Sequence, residues 1–250
     1  MRSPNVLILD IETAPMVAYI WDPKVDYVPA SQIKTDRYVM AWGAKWLGQP
    51  ESSTKYRDQR GLGPLQDKGI LMDLWPLLDK ADIVISYNGE SFDVRRINSR
   101  YMQLGIKPPS PFRHFDVMKL HKRVADHSYN TLDYVSSHIN VKRKKLHHDD
   151  FPGMSLWTEC LAENKKAWAS MKKYNIHDVL STEENAILTL AWAPEAFPEF
   201  FPVSDKALNC GRCGWVGHMR PTHSKLSNKA EYLQYRCSNC GGFQKGKKVR

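Results

Sequence analysis

The chain has 250 residues, of which 42% are hydrophobic and 25% are charged, and its formal net charge is +9. This composition is typical of a folded globular protein, and no apolar stretch approaches the roughly 18 residues that span a bilayer. We therefore exclude an integral membrane protein, and because no targeting segment is evident we expect a cytoplasmic (intracellular) location.

The first predicted element is a buried strand over residues 5 to 10, because the run from Val6 to Leu9 is short and rich in branched side chains. Asp10 and Glu12 lie at its end, and side chains two positions apart on a strand share one face. Two neighbouring carboxylates that are partly desolvated repel each other, and a hard divalent cation relieves that repulsion. The pair is therefore a candidate metal site.

An irregular segment runs from Ala14 to Arg37 beside this first motif and carries Trp21 and Tyr27 among its aromatic residues. It either forms part of a substrate cleft or packs over the sheet. Beyond it, the apolar pattern predicts strands over 38 to 47, 53 to 57, 82 to 87 and 112 to 116. Helices are predicted near 68 to 80, 91 to 104, 116 to 124, 130 to 139 and 163 to 192. This order of elements predicts an α/β fold with a mixed sheet flanked by helices.

A second acidic motif follows the strand predicted over 82 to 87. Asn88 and Gly89 favour a turn, Ser91 is a candidate helix N-cap, and Asp93 follows. We therefore expect Asp93 at a strand-to-helix junction, where the functional sites of open α/β sheets lie. Asp116 opens the next helix, and we assign it to the positive end of that helix rather than to a catalytic set.

A run of four basic residues from Lys142 to Lys145 turns acidic at Asp149 and Asp150. It is either a loop that contacts the substrate backbone or a solvated connection. His147 and His148 lie within the turn, but adjacent histidines do not easily converge on one ion. No metal site is predicted there.

The last candidate residues lie in the long helix predicted over 163 to 192. Tyr174 and Asp178 are four positions apart, so they share one face of that helix. His177 adjoins Asp178 but lies three places from Tyr174, and we give it a minor role at most.

These three segments together resemble the DEDD superfamily of 3′→5′ exonucleases, which have a ribonuclease H-like fold. The family carries D-x-E, then N-x-x-x-F-D or a close variant, then Y-x-x-x-D. In that order the chain reads Asp10-Ile11-Glu12, Asn88-Gly89-Glu90-Ser91-Phe92-Asp93 and Tyr174-Asn175-Ile176-His177-Asp178. It is similar to the tyrosine subclass and to the proofreading domain of family B DNA polymerases. The histidine subclass has its histidine five residues before the last aspartate, where this chain has Lys173.

The resemblance implies a mechanism with two Mg²⁺ or Mn²⁺ ions about 3.5–4 Å apart, which activate a water and stabilise the leaving 3′ oxygen. The implied metal ligands are Asp10, Glu12, Asp93 and Asp178. Tyr174 is implied to orient the attacking water, because a phenol near its ordinary pKa is a poor base at neutral pH. Asn88 and Phe92 are the implied contacts to the terminal nucleotide.

Two C-x-x-C knuckles lie near the C-terminal end, separated by 23 residues: Cys210-Gly211-Arg212-Cys213-Gly214 and Cys237-Ser238-Asn239-Cys240-Gly241. Four thiolates form a closed tetrahedral Zn²⁺ site, which is structural rather than catalytic. A pair of disulfides or redox motifs is the alternative, and the lack of a signal peptide and of β-α-β context disfavours it. The module resembles a zinc ribbon.

The net charge is concentrated in the same region. Residues 206 to 250 contain ten basic side chains and one acidic side chain, whereas residues 1 to 205 contain 26 of each. Such asymmetry is typical of a nucleic-acid-binding appendage, and a solvated basic tail without a partner is the alternative. Pro194, Pro198 and Pro202 punctuate the junction, so we predict an exonuclease domain over 1–203 and a basic zinc ribbon with its tail over 204–250.

The expected function is that of a metal-dependent 3′→5′ exonuclease on nucleic acid, with DNA favoured over RNA. The ribbon is expected to grip the substrate or to dock a replication or repair protein. An RNA exonuclease or a structure-selective endonuclease is the nearer alternative, because the motifs specify metal chemistry on phosphates and not the sugar. An inactive nucleic-acid-binding adaptor is the other alternative, and the presence of all four carboxylates and Tyr174 weighs against it.

Overall fold

The computed structural model of the protein describes residues 4–146, 148, 150–193, 209–214, 216–217, 219–227 and 230–249. The predicted domain boundary near 203 and the prolines that mark it lie outside these residues. His147 and Asp149 of the basic-to-acidic turn lie outside them as well.

The strands are β1 (Val6–Thr13), β2 (Val17–Ala18), β3 (Ile33–Thr35), β4 (Val39–Trp46), β5 (Lys55–Asp58), β6 (Ile83–Ser86), β7 (Arg113–Asp116), β8 (Met219–Pro221), β9 (Lys225–Ser227), β10 (Ala230–Cys237) and β11 (Phe243–Lys248). The helices are α1 (Lys68–Lys80), α2 (Asp93–Gln103), α3 (Val117–Val124), α4 (Leu132–His138), α5 (Ser155–Leu161) and α6 (Lys165–Leu190). Every strand and helix predicted in the first 192 residues is present, with ends displaced by three residues or fewer. No helix in the described part of the chain is long and apolar enough to cross a membrane.

A five-stranded mixed sheet forms the centre of the N-terminal part. Its strand order is β5-β4-β1-β6-β7, with β1, β6 and β7 parallel and with β4 and β5 joined by antiparallel pairing. Because β1, β6 and β7 run in the same direction, their carboxyl ends meet at one edge of the sheet, which we call the carboxyl edge. The predicted α/β class with a mixed sheet and flanking helices is confirmed.

The two faces of β1 pack against different helices. Leu7, Leu9 and Ile11 pack with α1 and α2, whereas Val6 and Ile8 pack with α3 and α6. Since side chains alternate along a strand, Asp10 and Glu12 continue the second face. The alternation of one strand therefore directs both carboxylates toward α6.

Two details differ from the sequence predictions. The sequence places Cys160 in a helix but does not predict the bounds of α5, whose buried Leu156 and Cys160 pack against α6. Ser91 is wrong as an N-cap, because α2 begins at Asp93 with Phe92 at the cap position and no side-chain cap. The preceding turn already satisfies the first helical amides through its own backbone carbonyls, so no side-chain acceptor is needed.

The segment between β1 and β4 is ordered as a hairpin rather than irregular throughout. β2 and β3 pair antiparallel, and the side chains of Tyr19, Trp21 and Tyr27 around its tip are exposed. The interpretation in which this segment packs over the sheet is therefore wrong for the tip.

The C-terminal part forms a small antiparallel sheet in the order β11-β10-β8, with β9 also paired to β10. Arg212, between the first two cysteines, is buried and donates from Nη1 to the carbonyls of Leu190 and Ala193 at 2.9 and 3.4 Å. These carbonyls lie at the end of α6, where a helix leaves acceptors without intrahelical partners. The guanidinium thus joins the small sheet to the helix that carries Tyr174 and Asp178.

Candidate active site

Three carboxylates converge at the carboxyl edge of the sheet, and we call them the acidic cluster. Oxygen atoms of Asp10, Glu12 and Asp178 lie within 4.8 Å of one another. The first two come from β1, and Asp178 comes from the middle of α6, which packs on the face of β1 that carries them. The fold therefore joins the first and third predicted motifs.

Asp93 adjoins the acidic cluster at the first position of α2. Its buried carboxylate accepts a hydrogen bond on Oδ1 from the amide of Ile11 at 2.9 Å, and Ile11 lies between Asp10 and Glu12. Asp93 is not one of the three residues whose carboxylate oxygens lie within 4.8 Å of one another. The structure thus places the fourth predicted ligand against β1, beside the other three.

The Asn88-Gly89 turn allows this approach. Asn88 has a φ of 63°, and a Cβ added to Gly89 would lie 2.0 Å from Oγ of Ser86 and 2.9 Å from Oδ2 of Asp93. Asp116 accepts the amide of Asn88 at 3.0 Å and also caps α3, as predicted. Only a residue without a side chain fits at Gly89, so the turn lets α2 begin close to β1 and β6.

Side-chain donors orient the two carboxylates of β1. Asn175 is fully buried and donates from Nδ2 to Oδ2 of Asp10 at 2.7 Å. Gly43 lies opposite Asp10 on β4, and a Cβ there would lie 2.4 Å from Oδ1 of Asn175. Gly43 therefore leaves the space that the amide occupies. Trp157 of α5 donates from Nε1 to Oε2 of Glu12 at 3.1 Å.

Lys145 brings a positive charge to the acidic cluster. Its Nζ lies 3.3 Å from Oδ2 of Asp178 and 4.9 Å from the ring centroid of Tyr174. Burial opposes the charged ammonium, yet the attraction of Asp178 and Tyr174 raises the pKa of Lys145 above the ordinary lysine value. Lys145 is thus paired with a carboxylate of the cluster rather than solvated.

Two further residues of the basic run, Arg143 and Lys144, are also anchored. Arg143 forms ion pairs with Glu184 of α6 and with Glu51. Lys144 donates to backbone carbonyls at the end of α4. The interpretation as a solvated connection is therefore wrong for Arg143 to Lys145, and these contacts hold Lys145 in position.

Burial raises the pKa of all four carboxylates. It raises the pKa of Glu12 to about 8, with a further contribution from Asp178, and the pKa of Asp93 to about 7. Burial and then the charge of Asp93 hold the pKa of Asp10 well above its ordinary value. Burial also raises the pKa of Asp178, and Lys145 opposes this rise. Four carboxylates in this state favour either protonation or a bound cation.

Tyr174 lies in an aromatic group beside the acidic cluster. The ring centroids of His148 and Trp157 lie 5.3 and 6.1 Å from the centroid of Tyr174, both nearly edge-on. Burial, followed by the charge of Asp178, raises the pKa of the Tyr174 phenol. The phenol is therefore a hydrogen-bond donor at neutral pH and not a base.

A cavity of about 520 Å³ opens next to Asn88. Lys122 of α3 and Tyr129 line it together with Asn88. Phe92, the other predicted nucleotide contact, is 38% exposed. An amide, an ammonium group and accessible rings are the groups that nucleotide recognition uses, so this side of the acidic cluster suits a nucleic acid strand.

The donor set of the acidic cluster fits a hard divalent cation. Its ligand atoms are all carboxylate oxygens, which Mg²⁺ and Mn²⁺ prefer over the softer ligands of Zn²⁺. Oδ1 of Asp178 is buried and has no hydrogen-bond partner among the described atoms. Asp10, Glu12 and Asp178 therefore form a possible catalytic metal site.

The four cysteines fit a structural zinc site. Their Sγ atoms lie within 4.8 Å of one another, with Cys210 and Cys240 3.7 Å apart and Cys213 and Cys237 3.8 Å apart. A Zn²⁺ tetrahedron with bonds of about 2.3 Å has edges of about 3.8 Å, whereas a disulfide brings sulfur atoms to about 2 Å. The four cysteines are not joined as disulfides, and their cluster beside a small antiparallel sheet is consistent with a structural zinc site of the zinc-ribbon kind.

The sequence matches a family model described as "RNase_H superfamily" over residues 37–186, which is more than half of the chain. The chain belongs to the RNase H superfamily. The match begins after β1, so it contains Asp93, Tyr174 and Asp178 but not Asp10 and Glu12. Proteins of the RNase H superfamily generally hydrolyse phosphodiester bonds, and membership implies a nucleic acid substrate.

The fold is also similar to that of a solved structure, "Structure of the family B DNA polymerase from the hyperthermophilic archaeon Pyrobaculum calidifontis". The TM-score is 0.56 at 15% sequence identity, and the likeness covers 93% of this chain and 32% of the polymerase chain. The RNase H superfamily chain thus spans about a third of the length of that protein, and the likeness shows a shared fold alone. A comparison with curated protein sequences found no match.

The sequence does not indicate three residues that the structure places at the acidic cluster: Lys145, Trp157 and Asn175. Asn175 lies within the third motif and Lys145 within the basic run, so both had a partial signal. Trp157 had none, because α5 reaches Glu12 through tertiary packing alone.

Asn175→Ala should weaken metal binding at the acidic cluster. Without the amide, Oδ2 of Asp10 loses the donor that orients it. Loss of a residue that hydrogen-bonds to a metal ligand typically lowers the metal affinity by about 10–100-fold. Calorimetric titration of the full-length protein with Mn²⁺ measures the change.

Asn185→Ala is the matched control, because Asn185 is an equally buried asparagine on α6 that bonds to Ser136 and not to the cluster. Both variants remove a buried hydrogen-bonding group and should lose comparable stability, on the order of 1–3 kcal/mol. Equal Mn²⁺ affinity in the two variants would contradict the role assigned to Asn175.

The metal-free protein should lose stability as the pH rises. In the folded protein the pKa values of Glu12 and Asp93 are raised to about 8 and about 7, above those of the unfolded chain. The folded state then binds more protons than the unfolded state in this window, so the free energy of unfolding falls from about pH 4.5 to about pH 8. Thermal melts over this range, in buffer without added divalent metal or chelator, measure the fall, and Mg²⁺ should raise the melting temperature most at the alkaline end. An Mg²⁺ effect independent of pH would contradict this linkage.

Proposed function

We propose that the chain is a metal-dependent 3′→5′ exonuclease that hydrolyses phosphodiester bonds of nucleic acid, with DNA favoured over RNA. The observation that carries the proposal is the convergence of Asp10, Glu12 and Asp178, with Asp93 alongside, in a member of the RNase H superfamily. The tyrosine of the third motif supports an exonuclease. The similar fold of a family B DNA polymerase supports DNA as the substrate.

The four carboxylates would hold two Mg²⁺ or Mn²⁺ ions, directly or through water. Such ions activate a water and stabilise negative charge on the leaving 3′ oxygen when they are bound. The protein keeps each carboxylate oriented: Asn175 holds Asp10, and Trp157 holds Glu12. Because these carboxylates are oriented before the reaction, the active site does not have to reorganise during it.

Tyr174 and Lys145 act beside these carboxylates. The protonated phenol of Tyr174 orients the attacking water next to the scissile phosphate. Lys145 keeps Asp178 ionised, since an ammonium group at 3.3 Å favours the charged form of a carboxylate. Asn88 and Phe92 contact the terminal nucleotide, and the adjoining nucleotides enter the cavity next to Asn88.

Cleavage by the full-length protein should require a divalent metal and the acidic cluster. We expect end-labelled single-stranded DNA to be shortened stepwise from its 3′ end with Mg²⁺ or Mn²⁺ and to stay intact in chelator. Asp178→Asn should slow cleavage by more than about a hundredfold. Loss of a metal ligand weakens metal binding more than loss of a residue that only hydrogen-bonds to a ligand. Asp73→Asn, an exposed carboxylate of α1, is the control.

The same assay on duplex DNA and on RNA separates the alternatives. Internal fragments would identify an endonuclease, and degradation of RNA alone would identify an RNA exonuclease. Binding without cleavage under every metal condition would identify an adaptor. A wild-type rate for Asp178→Asn would remove the acidic cluster from the reaction.

We further propose that the chain divides near residue 203 and that the C-terminal zinc ribbon binds nucleic acid or docks a replication or repair protein. Arg212 contacts the end of α6, and Leu190 there packs with Val6 and Ile83 at the amino ends of their strands. Along α6, Asp178 and Leu190 are about 18 Å apart at 1.5 Å per residue. A strand in the stacked geometry of a duplex covers that distance in about five nucleotides at roughly 3.4 Å each.

Neutralising the exposed ribbon lysines should weaken binding of long oligonucleotides and reduce its salt dependence. The variant Lys225→Gln, Lys245→Gln, Lys248→Gln leaves the four cysteines in place. Each lysine that contacts a phosphate contributes about one unit to the slope of log affinity against log salt. Fluorescence anisotropy over a salt series, in buffer without Mg²⁺, Mn²⁺ or chelator, measures both quantities, and dinucleotide cleavage should not change.

The matched control is the variant Lys55→Gln, Lys68→Gln, Lys107→Gln, which removes the same charge from exposed positions of the N-terminal part. An equal loss of salt dependence in both variants would mean that net charge, and not the ribbon, determines binding.

A further inference from the structure

Three exposed aromatic side chains lie in the connection between β2 and β3. Trp21 is 97% exposed, Tyr27 is 76% exposed and Tyr19 is 66% exposed. Single exposed apolar side chains are ordinary, but several large rings together mark an interaction surface. We call these three residues the aromatic tip.

The hairpin begins at the edge of the sheet that holds the acidic cluster. β2 starts five residues after Glu12. The amide of Ala14 donates to the carbonyl of Tyr38 at 2.9 Å, which extends the pairing of β1 with β4 to the base of the hairpin, and both residues are buried. The aromatic tip therefore projects from the carboxyl edge on a fixed base.

Backbone pairing also defines the shape of the hairpin. Val17 pairs with Thr35, and the amide of Tyr19 donates to the carbonyl of Gln32 at 2.9 Å. The Nζ of Lys34 lies 5.7 Å from the ring centroid of Tyr19, so a cation lies beside the exposed ring. The ring of Tyr19 is thus presented by paired backbone, and Trp21 and Tyr27 lie in the connection beyond it.

We propose that the aromatic tip is a stacking site for unpaired bases of the substrate strand. The proposal rests on the proposed function, because cleavage at the acidic cluster brings a nucleic acid strand to this edge of the sheet. Every base has an aromatic face, so stacking on exposed rings does not depend on the base sequence. Lys34, next to Tyr19, suits the phosphate that accompanies a stacked base.

The charge of the segment indicates how it binds. Residues 14 to 37 contain three basic and three acidic side chains, so their net charge is zero. A neutral surface releases few counterions from phosphates, and its affinity must come from ring stacking. Binding at the aromatic tip therefore depends less on salt than binding at the basic ribbon does.

An unpaired strand fits this surface better than a duplex does, because paired bases are stacked on each other and expose few faces. A protein partner is the other class of molecule that exposed rings accept. Continuity with the acidic cluster, in a superfamily that processes nucleic acid, favours the strand. The aromatic tip thus directs the protein to single-stranded ends.

The test uses the full-length protein in buffer without Mg²⁺, Mn²⁺ or chelator, so that binding is measured without cleavage and the four-cysteine cluster is left intact. Trp21→Ala should weaken binding of a labelled single-stranded oligonucleotide by about tenfold, within the range expected for one stacked base. Its salt dependence and its binding of a blunt duplex should not change. Trp21→Phe keeps a ring and should bind like the wild type. Met102→Ala, which removes an exposed apolar side chain from α2, should have no effect.

Hydrolysis of the p-nitrophenyl ester of thymidine 5′-monophosphate, with Mn²⁺, separates this proposal from the exonuclease proposal. The ester is too small to reach beyond the acidic cluster, so the wild type and all Trp21 variants should cleave it equally. Cleavage of the ester together with unchanged single-strand binding by Trp21→Ala would overturn the stacking site alone. An inert ester would count against the exonuclease, while the binding measurement would still decide the stacking site. An equal loss on single strands and blunt duplex would overturn the preference for unpaired bases.

Discussion

Repulsion among buried carboxylates at one edge of a sheet is the constraint on which the site depends. Asp10, Glu12 and Asp178 approach within 4.8 Å, and each would be neutral or compensated at this degree of burial. Lys145 compensates part of the charge, since it lies against Asp178. The remaining negative charge of the acidic cluster requires protons or metal ions. Metal binding, proton release and stability are therefore linked in this fold.

The approach of these groups depends on two glycines as much as on the carboxylates. Gly43 leaves room for the side chain of Asn175 behind Asp10, and Gly89 leaves room for α2 to begin beside β6. A methyl group at either position would meet an atom at 2.4 Å or closer. Because protein interiors are close-packed, such a contact moves the neighbouring element and with it a carboxylate.

The parts of the site that sequence predicts are those encoded by local periodicity. The alternation of β1 places Asp10 and Glu12 on one face, the helical spacing of α6 does the same for Tyr174 and Asp178, and the knuckle spacing identifies the zinc ribbon. Trp157 was not predictable, because α5 reaches Glu12 only after the chain has folded. The N-cap assignment failed for a related reason: backbone carbonyls of the preceding turn satisfy the amides that Ser91 was expected to cap.

Two proposed contacts with the substrate lie at different edges of the sheet and rely on different forces. The aromatic tip projects from the carboxyl edge, whereas Arg212 joins the ribbon to the end of α6 near Val6 and Ile83. Charge acts over about 8 Å at physiological ionic strength, so the ribbon affects how often a strand is captured. Stacking acts only at contact, so the aromatic tip affects where an unpaired end comes to rest. Because the two contacts differ in range and in salt dependence, capture of the strand and placement of its end can vary independently in this protein.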